Sequence, residues 1–151
     1  MLLLGVCNPR GENESYNGLY LKESEIAGIA RKGLYGVPVK QEHTGNNVGK
    51  VVSCYVNNGG QMCCVLEINE HNFEGMIASG FVRDGVASEL SLGYTVDVSH
   101  SEGSNLRAGD KIVREISIVR KGARKGCYIL AHDSIPVFEK NDVWSEFFDM
   151  S

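Results

Sequence analysis

The sequence predicts a mainly β protein with peripheral helices, of the α+β class, built as an antiparallel, roughly seven-stranded β-barrel. Short β-rich segments recur along the chain, and most are separated by glycine- or asparagine-rich turns. The chain has 18 glycines and only three prolines, as expected of short strands joined by tight turns. Its 151 residues suffice for one hydrophobic core, so residues 1–151 are expected to form a single domain.

The first half of the chain contains one predicted helix, residues 22–32. Ile26 and Ile29 follow helical spacing there, and Gly33 is a stop signal. The segment Asn57-Asn58-Gly59-Gly60 strongly indicates a β-hairpin. Strands are also predicted at residues 2–7 and 37–42, and the two hairpin strands at residues 48–57 and 61–68. A polar loop is predicted at residues 11–18 and a turn at residues 44–47.

The second half begins with a predicted helix, residues 69–81, whose apolar stripe of Phe73, Met76 and Ile77 is expected to face the core. A short amphipathic helix is expected at residues 141–150, where Trp144 is one of several apolar residues. Between these helices, the central strand is predicted at residues 88–98 and a polar segment at residues 99–109. Two further strands are predicted at residues 111–120 and 126–131.

Composition excludes several classes of partner. A net charge of −4 argues against nucleic acid or an anionic membrane, and no apolar stretch approaches the roughly 18 residues of a membrane helix. Met1-Leu2-Leu3-Leu4 is too short an apolar run for a signal peptide and is interpreted as the first strand. The five cysteines lack Cys-x-x-Cys spacing, which favours free thiols in a reducing compartment. No metal spacing is present and no cofactor is predicted.

The central strand presents two different faces. Period two places Leu90, Leu92 and Tyr94 on one side, whereas Ser91 and Gly93 fall on the other. The apolar side is expected to pack on the core and the polar side to open to a cleft. Ser91 is therefore a candidate nucleophile, although most strand serines with such neighbours are only solvated polar residues.

Two further residues complete a candidate catalytic set. His43 directly precedes a glycine turn, and Glu115 lies within a strand between valines, where a carboxylate requires a partner. A serine hydroxyl needs an imidazole to take its proton, and a carboxylate fixes the imidazole tautomer. Spacing alone leaves the alternatives open: His43 could be a surface histidine, and Glu115 could pair with Arg114 or a lysine.

Three blocks of the sequence contain these candidate residues: residues 37–43 with 48–51, residues 90–94, and residues 115–126. Together they resemble the capsid-maturation serine proteases, which comprise the herpesvirus assemblins and the prohead proteases of tailed phages. Residues 37–43 with Val48-Gly49-Lys50-Val51 resemble the catalytic-histidine block. Leu90-Ser91-Leu92-Gly93-Tyr94 resembles the nucleophile block. Residues 115–119 through Gly122-Ala123-Arg124-Lys125-Gly126 resemble the third block. The blocks occur in the family order and span most of the chain.

The resemblance implies a viral serine endopeptidase that cleaves scaffold or assembly protein, and itself, without a cofactor. It implies Ser91 as nucleophile, His43 as general base and Glu115 as orienting group, with the Ala123 N–H and the Arg124 side chain at the oxyanion. Assemblins have a second histidine where this chain has Glu115, whereas the phage enzymes typically have a carboxylate.

The resemblance further implies contact with capsid shell proteins, a homodimer, and a location in the precursor capsid in the host nucleus or cytoplasm. Two other functions remain open from the sequence. One is a non-catalytic β-barrel that binds a peptide in a capsid assembly complex. The other is a cysteine hydrolase using Cys54 or Cys63, although both lie in apolar hairpin strands, where thiols are usually inert.

Overall fold

A computed structural model describes residues 1–9, 13–14, 20–21, 23–97, 110–122, 126–133 and 135–136. In these residues the chain forms two helices, α1 (Glu23–Lys32) and α2 (Phe73–Arg83). The strands are β1 (Leu2–Asn8), β2 (Asn13–Glu14), β3 (Tyr20–Leu21), β4 (Pro38–Gln41), β5 (Thr44–Val56), β6 (Met62–Ile68), β7 (Glu89–Asp97), β8 (Asp110–Val119), β9 (Ile129–His132) and β10 (Ile135–Pro136). Neither α1 nor α2 is long and apolar enough to cross a membrane.

One curved sheet contains all the strands except the small β2–β3 hairpin, in the order β10-β9-β1-β6-β5-β4-β8-β7. Its neighbours are antiparallel except β4 and β8, which run parallel with Val39 opposite Ile116. The prediction of a mainly β fold with peripheral helices is confirmed, but the sheet is mixed rather than purely antiparallel. The reason is that β4 and β8 are far apart in the chain, so no hairpin dictates their direction.

The sheet curves into a half-barrel, in which the start of β7 hydrogen-bonds to the start of β9. There the Leu90 N–H donates to the Cys127 carbonyl at 2.9 Å, and the Ile129 N–H donates to the Ser88 carbonyl at 3.0 Å. The core lies inside this curve, where Leu3, Val39, Leu66, Leu90 and Ile116 are fully buried. Strand β7 is thereby held with one face on the core and the other outside the barrel.

Helix α2 buries the face opposite to the one predicted. Its buried residues are Gly75, Ala78, Ser79 and Val82, whereas Phe73 and Met76 are exposed. A side chain at Gly75 would collide with the Asn69 carbonyl, so the small residues are what allow the helix to approach the sheet. The helix also begins later than predicted, because Asn72 is its N-cap and accepts from the Glu74 N–H at 2.8 Å.

Other boundaries differ locally from the prediction. Residues 44–47, predicted as a turn, belong to β5, since Thr44 pairs with Gln41 across a shorter turn. The predicted loop at 11–18 contains β2, which pairs with β3. Gly33 ends α1 as predicted, with φ of 72° and its N–H donating to the Ile29 carbonyl. The predicted polar segment 99–109 and helix 141–150 lie outside the described residues.

The expectation of five free thiols is wrong for one pair. Cys7 and Cys64 form a disulfide between the adjacent strands β1 and β6, with their Cα atoms 6.3 Å apart. Both residues are buried. Spacing in the sequence could not indicate this pair, because 57 positions separate the two residues and only the strand pairing brings them together. Cys54, Cys63 and Cys127 are free thiols.

Candidate active site

Strand β7 positions Ser91 as the alternation of its side chains predicts. Leu90 and Leu92 are part of the hydrophobic core, so Ser91 projects from the opposite face. The antiparallel register places Ser91 opposite Ser117 and Gly93 opposite Glu115 on β8. Because directly opposite residues share a face of the sheet, Ser91, Ser117 and Glu115 all lie on the outer face of the half-barrel.

A register shift in β8 changes the expected neighbours of Glu115. Gly93 pairs with Glu115 but Tyr94 pairs with Val113, which leaves Arg114 as the extra residue of a β-bulge. The bulge reverses the alternation, so that Val113 packs against the core while Glu115 does not. Simple alternation would predict that Val113 and Glu115 share a face, and the bulge makes that prediction wrong. Arg114 donates to the Thr95 hydroxyl instead of pairing with Glu115.

His43 reaches this face from the turn between β4 and β5. Glu42 and His43 are the two central residues of a tight hairpin turn, and both have positive φ, 52° and 60°. This is the pattern of a type I′ turn, which usually contains asparagine and glycine. The parallel pairing of β4 with β8 brings the turn alongside Ser117, whose hydroxyl accepts from the His43 N–H at 2.9 Å.

The three predicted side chains converge. His43 Nε2 lies 2.9 Å from Ser91 Oγ, and His43 Nδ1 lies 2.5 Å from Glu115 Oε1. One ring nitrogen therefore faces the hydroxyl while the other faces the carboxylate. This is the arrangement that general-base activation of a serine requires. The His43 side chain is 42% exposed, whereas Glu115 is 12% exposed, so the histidine forms the open side of the site.

The electrostatics of the pair follow from this contact. The hydrogen bond with Glu115 raises the pKa of His43 above its ordinary value, which outweighs the lowering effect of burial. Burial by itself would raise the pKa of Glu115. Hydrogen bonds from His43 and Ser117 nevertheless hold the pKa of Glu115 below its ordinary value. Glu115 is thus a carboxylate at neutral pH, and it stabilises an imidazolium at His43.

Two further residues lie beside the Glu115 carboxylate. Neither was predicted from the sequence to belong to the site. Ser117 is fully buried and donates to Glu115 Oε2 at 2.6 Å. A Cβ atom on Gly93 would collide with the Glu115 carboxylate, so the glycine makes room for that side chain. Ser117 follows Glu115 by two positions, and this period-two spacing was the available signal.

The predicted oxyanion residues, Ala123 and Arg124, lie outside the described residues. The structure does describe both ends of their loop. On the near side, the Arg120 N–H donates to Glu42 Oε1 at 2.8 Å, and the Gly122 N–H donates to Glu89 Oε1 at 3.0 Å. Two carboxylates, one beside His43 and one at the start of the Ser91 strand, therefore hold the beginning of the loop next to the site.

The alternative cysteine nucleophiles are in unsuitable environments. Burial raises the pKa of Cys54 to about 11 and that of Cys63 to about 11. A nucleophilic cysteine needs a lowered pKa, because the thiolate is the reactive form. His43 hydrogen-bonds Ser91 and Glu115 rather than either thiol. These observations disfavour a cysteine hydrolase.

Solved structures of Kaposi's sarcoma-associated herpesvirus protease share this architecture. A complex with a hexapeptide phosphonate inhibitor matches with a TM-score of 0.58 and 17% identity, over 87% of this chain and 65% of that chain. This chain therefore spans less than two thirds of the chain in that complex. A complex with a dimer disruptor matches with a TM-score of 0.56 and 14% identity, over 99% of this chain and 88% of that chain. The chain has an assemblin-like fold.

Comparisons by sequence alone give no match to this chain. No family model matches the chain. No curated protein matches it either. At 14–17% identity the likeness concerns the fold, so any activity must be argued from the side chains of the site.

Proposed function

We propose that this chain is a serine endopeptidase of viral capsid maturation. The observation that carries the proposal is the hydrogen-bonded series Ser91, His43 and Glu115 on an assemblin-like fold. Its substrates are a scaffold or assembly protein and the protease itself. We place it in the precursor capsid in the host nucleus or cytoplasm, in contact with capsid shell proteins and acting as a homodimer. Two of the similar herpesvirus protease structures are complexes with a dimer disruptor, which supports the proposed homodimer.

The mechanism follows from the geometry. Ser91 Oγ attacks the scissile carbonyl carbon while His43 Nε2 takes the hydroxyl proton, and the carbonyl oxygen becomes an oxyanion. Glu115 stabilises the resulting imidazolium through Nδ1. His43 then gives the proton to the leaving amine, and an acyl-enzyme remains on Ser91. Water, deprotonated by the same imidazole, hydrolyses the acyl-enzyme and regenerates the free serine.

The oxyanion needs donors that are already in place. We assign this role to the Ala123 N–H and the Arg124 side chain, following the family pattern in Gly122-Ala123-Arg124-Lys125-Gly126. The contacts of Glu42 and Glu89 with the start of this loop support the assignment, because they fix the backbone that leads into it. One such donor is worth about 3 kcal/mol of the activation barrier.

The test is covalent labelling with a fluorophosphonate, followed by peptide mapping of the adduct. We expect the adduct on Ser91, and we expect Ser91→Ala to lose labelling and at least about 10⁴-fold in cleavage of a scaffold-derived peptide. The fold should persist, because removing this hydroxyl from the outer face leaves no cavity in the core. Ser53→Ala, at an exposed serine of β5, is the matched control and should keep full activity.

Other outcomes would identify the competing functions. An adduct on Cys54 or Cys63 would indicate a cysteine hydrolase. A folded protein that binds the scaffold peptide but neither cleaves it nor takes the label would be a non-catalytic peptide-binding barrel. Full turnover by Ser91→Ala would refute the serine mechanism.

A further inference from the structure

The Ser117 hydroxyl has a uniquely determined role in the hydrogen bonds of the site. A backbone N–H can only donate, so the hydroxyl must accept the 2.9 Å bond from the His43 N–H. Its own proton is then free for Glu115 Oε2, 2.6 Å away. Because that bond has a charged acceptor, it is stronger than an ordinary one. Ser117 thus links the backbone of His43 to the carboxylate of Glu115.

These contacts close a ring. Glu115 Oε1 faces His43 Nδ1, Glu115 Oε2 faces Ser117 Oγ, and Ser117 Oγ returns to the His43 backbone. The carboxylate is therefore held at both oxygens, and the histidine is held at its ring and at its backbone. In the described residues no other side chain hydrogen-bonds both His43 and Glu115. Ser117 is fully buried, so water does not compete for these bonds.

Gly93 bounds the carboxylate from the opposite strand. An added Cβ there would lie 2.5 Å from Glu115 Cδ and 3.0 Å from Glu115 Cγ, and closer still to Oε1. Such contacts are too short for any real Cβ, so a side chain at position 93 would displace the carboxylate. Gly93 shows no positive φ, so its role here is space rather than backbone freedom.

We propose that Ser117 and Gly93 are positioning residues that fix the rotamer of Glu115 and, through it, the tautomer of His43. The proposal rests on the proposed serine endopeptidase function. With the carboxylate fixed, Nδ1 keeps its proton and Nε2 stays free to accept the proton of Ser91. Without Ser117, Glu115 Oε2 and the His43 backbone N–H each lose a hydrogen-bond partner. The imidazole is then oriented less firmly, because Ser117 no longer holds either its carboxylate partner or its own backbone.

The experiment compares Ser117→Ala and Gly93→Ala with two matched controls. Ser79→Ala removes a fully buried hydroxyl that has no hydrogen-bond partner among the described residues, and Gly80→Ala adds a methyl group with none of those residues within 4 Å. Each variant is first checked for folding by circular dichroism. We expect both test variants to lower kcat by about tenfold or more with little change in KM. Ser117→Ala loses a charge-assisted hydrogen bond to Glu115, and Gly93→Ala displaces the same carboxylate from His43. Both controls should retain the parental kcat.

A second measurement is independent of turnover. Nitrogen-15 NMR of the histidine rings reports the tautomer of neutral His43. We expect the parent and both controls to show the Nδ1–H form, and the two test variants to show a mixture of tautomers. Folded Ser117→Ala and Gly93→Ala with the parental tautomer and kcat would overturn the positioning role. If the parent cleaves no peptide, the proposed function fails, and the NMR comparison still decides the positioning.

Discussion

His43 and Glu115 interact directly, and this contact sets the pH dependence expected of the proposed activity. General-base catalysis needs neutral His43, whose pKa lies above its ordinary value of 6.5. The acid limb of kcat/KM should therefore have its midpoint above pH 6.5. Glu115→Gln removes the charge that raises the pKa, so its midpoint should move to lower pH while kcat falls. A pH series of initial rates for both proteins checks this, and an unmoved midpoint would contradict the pairing.

The same two groups affect stability in opposite pH ranges. The raised pKa of His43 contributes stability that is fully present below about pH 6.5 and is lost as the pH rises through the folded-state pKa. The lowered pKa of Glu115 contributes stability that is present above its ordinary value of 4.5 and is lost as the pH falls through the folded-state pKa. The pair therefore favours the folded state most in the interval between these values.

At the scale of elements, α2 shows how residue size decides which face of a helix is buried. Gly75→Ala places a methyl group against the Asn69 carbonyl and should lower the free energy of unfolding by about 1–3 kcal/mol. Met76→Gln, on the exposed face of the same helix, should change it by less than about 0.5 kcal/mol. Urea unfolding of the two variants beside the parent measures both values. Equal losses would contradict the packing.

The sequence predicted elements well where a local rule governed them. Alternation in β7 correctly placed Leu90 and Ser91 on opposite faces, and Gly33 correctly ended α1. Predictions were wrong where tertiary contacts decided. The stripe of large apolar residues on α2 predicted the buried face, but close approach to the sheet favoured the small face. The bulge at Arg114 could not be read from β8 alone, because it depends on pairing with β7.

For the molecule as a whole, strand pairing created contacts that no spacing rule could predict. The parallel β4–β8 pair and the Cys7–Cys64 bond both join residues that are distant in the chain. The convergence of His43, Ser91 and Glu115 was predictable from the resemblance of three sequence blocks. Ser117 was not assigned to the site: its period-two spacing places it on the face of Glu115, but only the fold brings the turn at His43 beside it.

The cysteine pairing gives a prediction for the whole chain. Alkylation of the unfolded protein without a reductant should modify three thiols, Cys54, Cys63 and Cys127, and alkylation after reduction should modify all five. In the chain-entropy model, closing a loop of this length stabilises the fold by about 4 kcal/mol. Intact-protein mass spectrometry counts the modified thiols. Five modified thiols without a reductant would contradict the Cys7–Cys64 bond.

The turn that carries His43 sets the proposed catalysis against thermodynamic stability. Two consecutive left-handed residues without a glycine cost about 1–2 kcal/mol each relative to the residues that such turns ordinarily use. A glycine at position 43 would relieve part of this strain, but it would remove the imidazole. The proposed catalysis and the stability of the turn therefore make opposite demands on position 43.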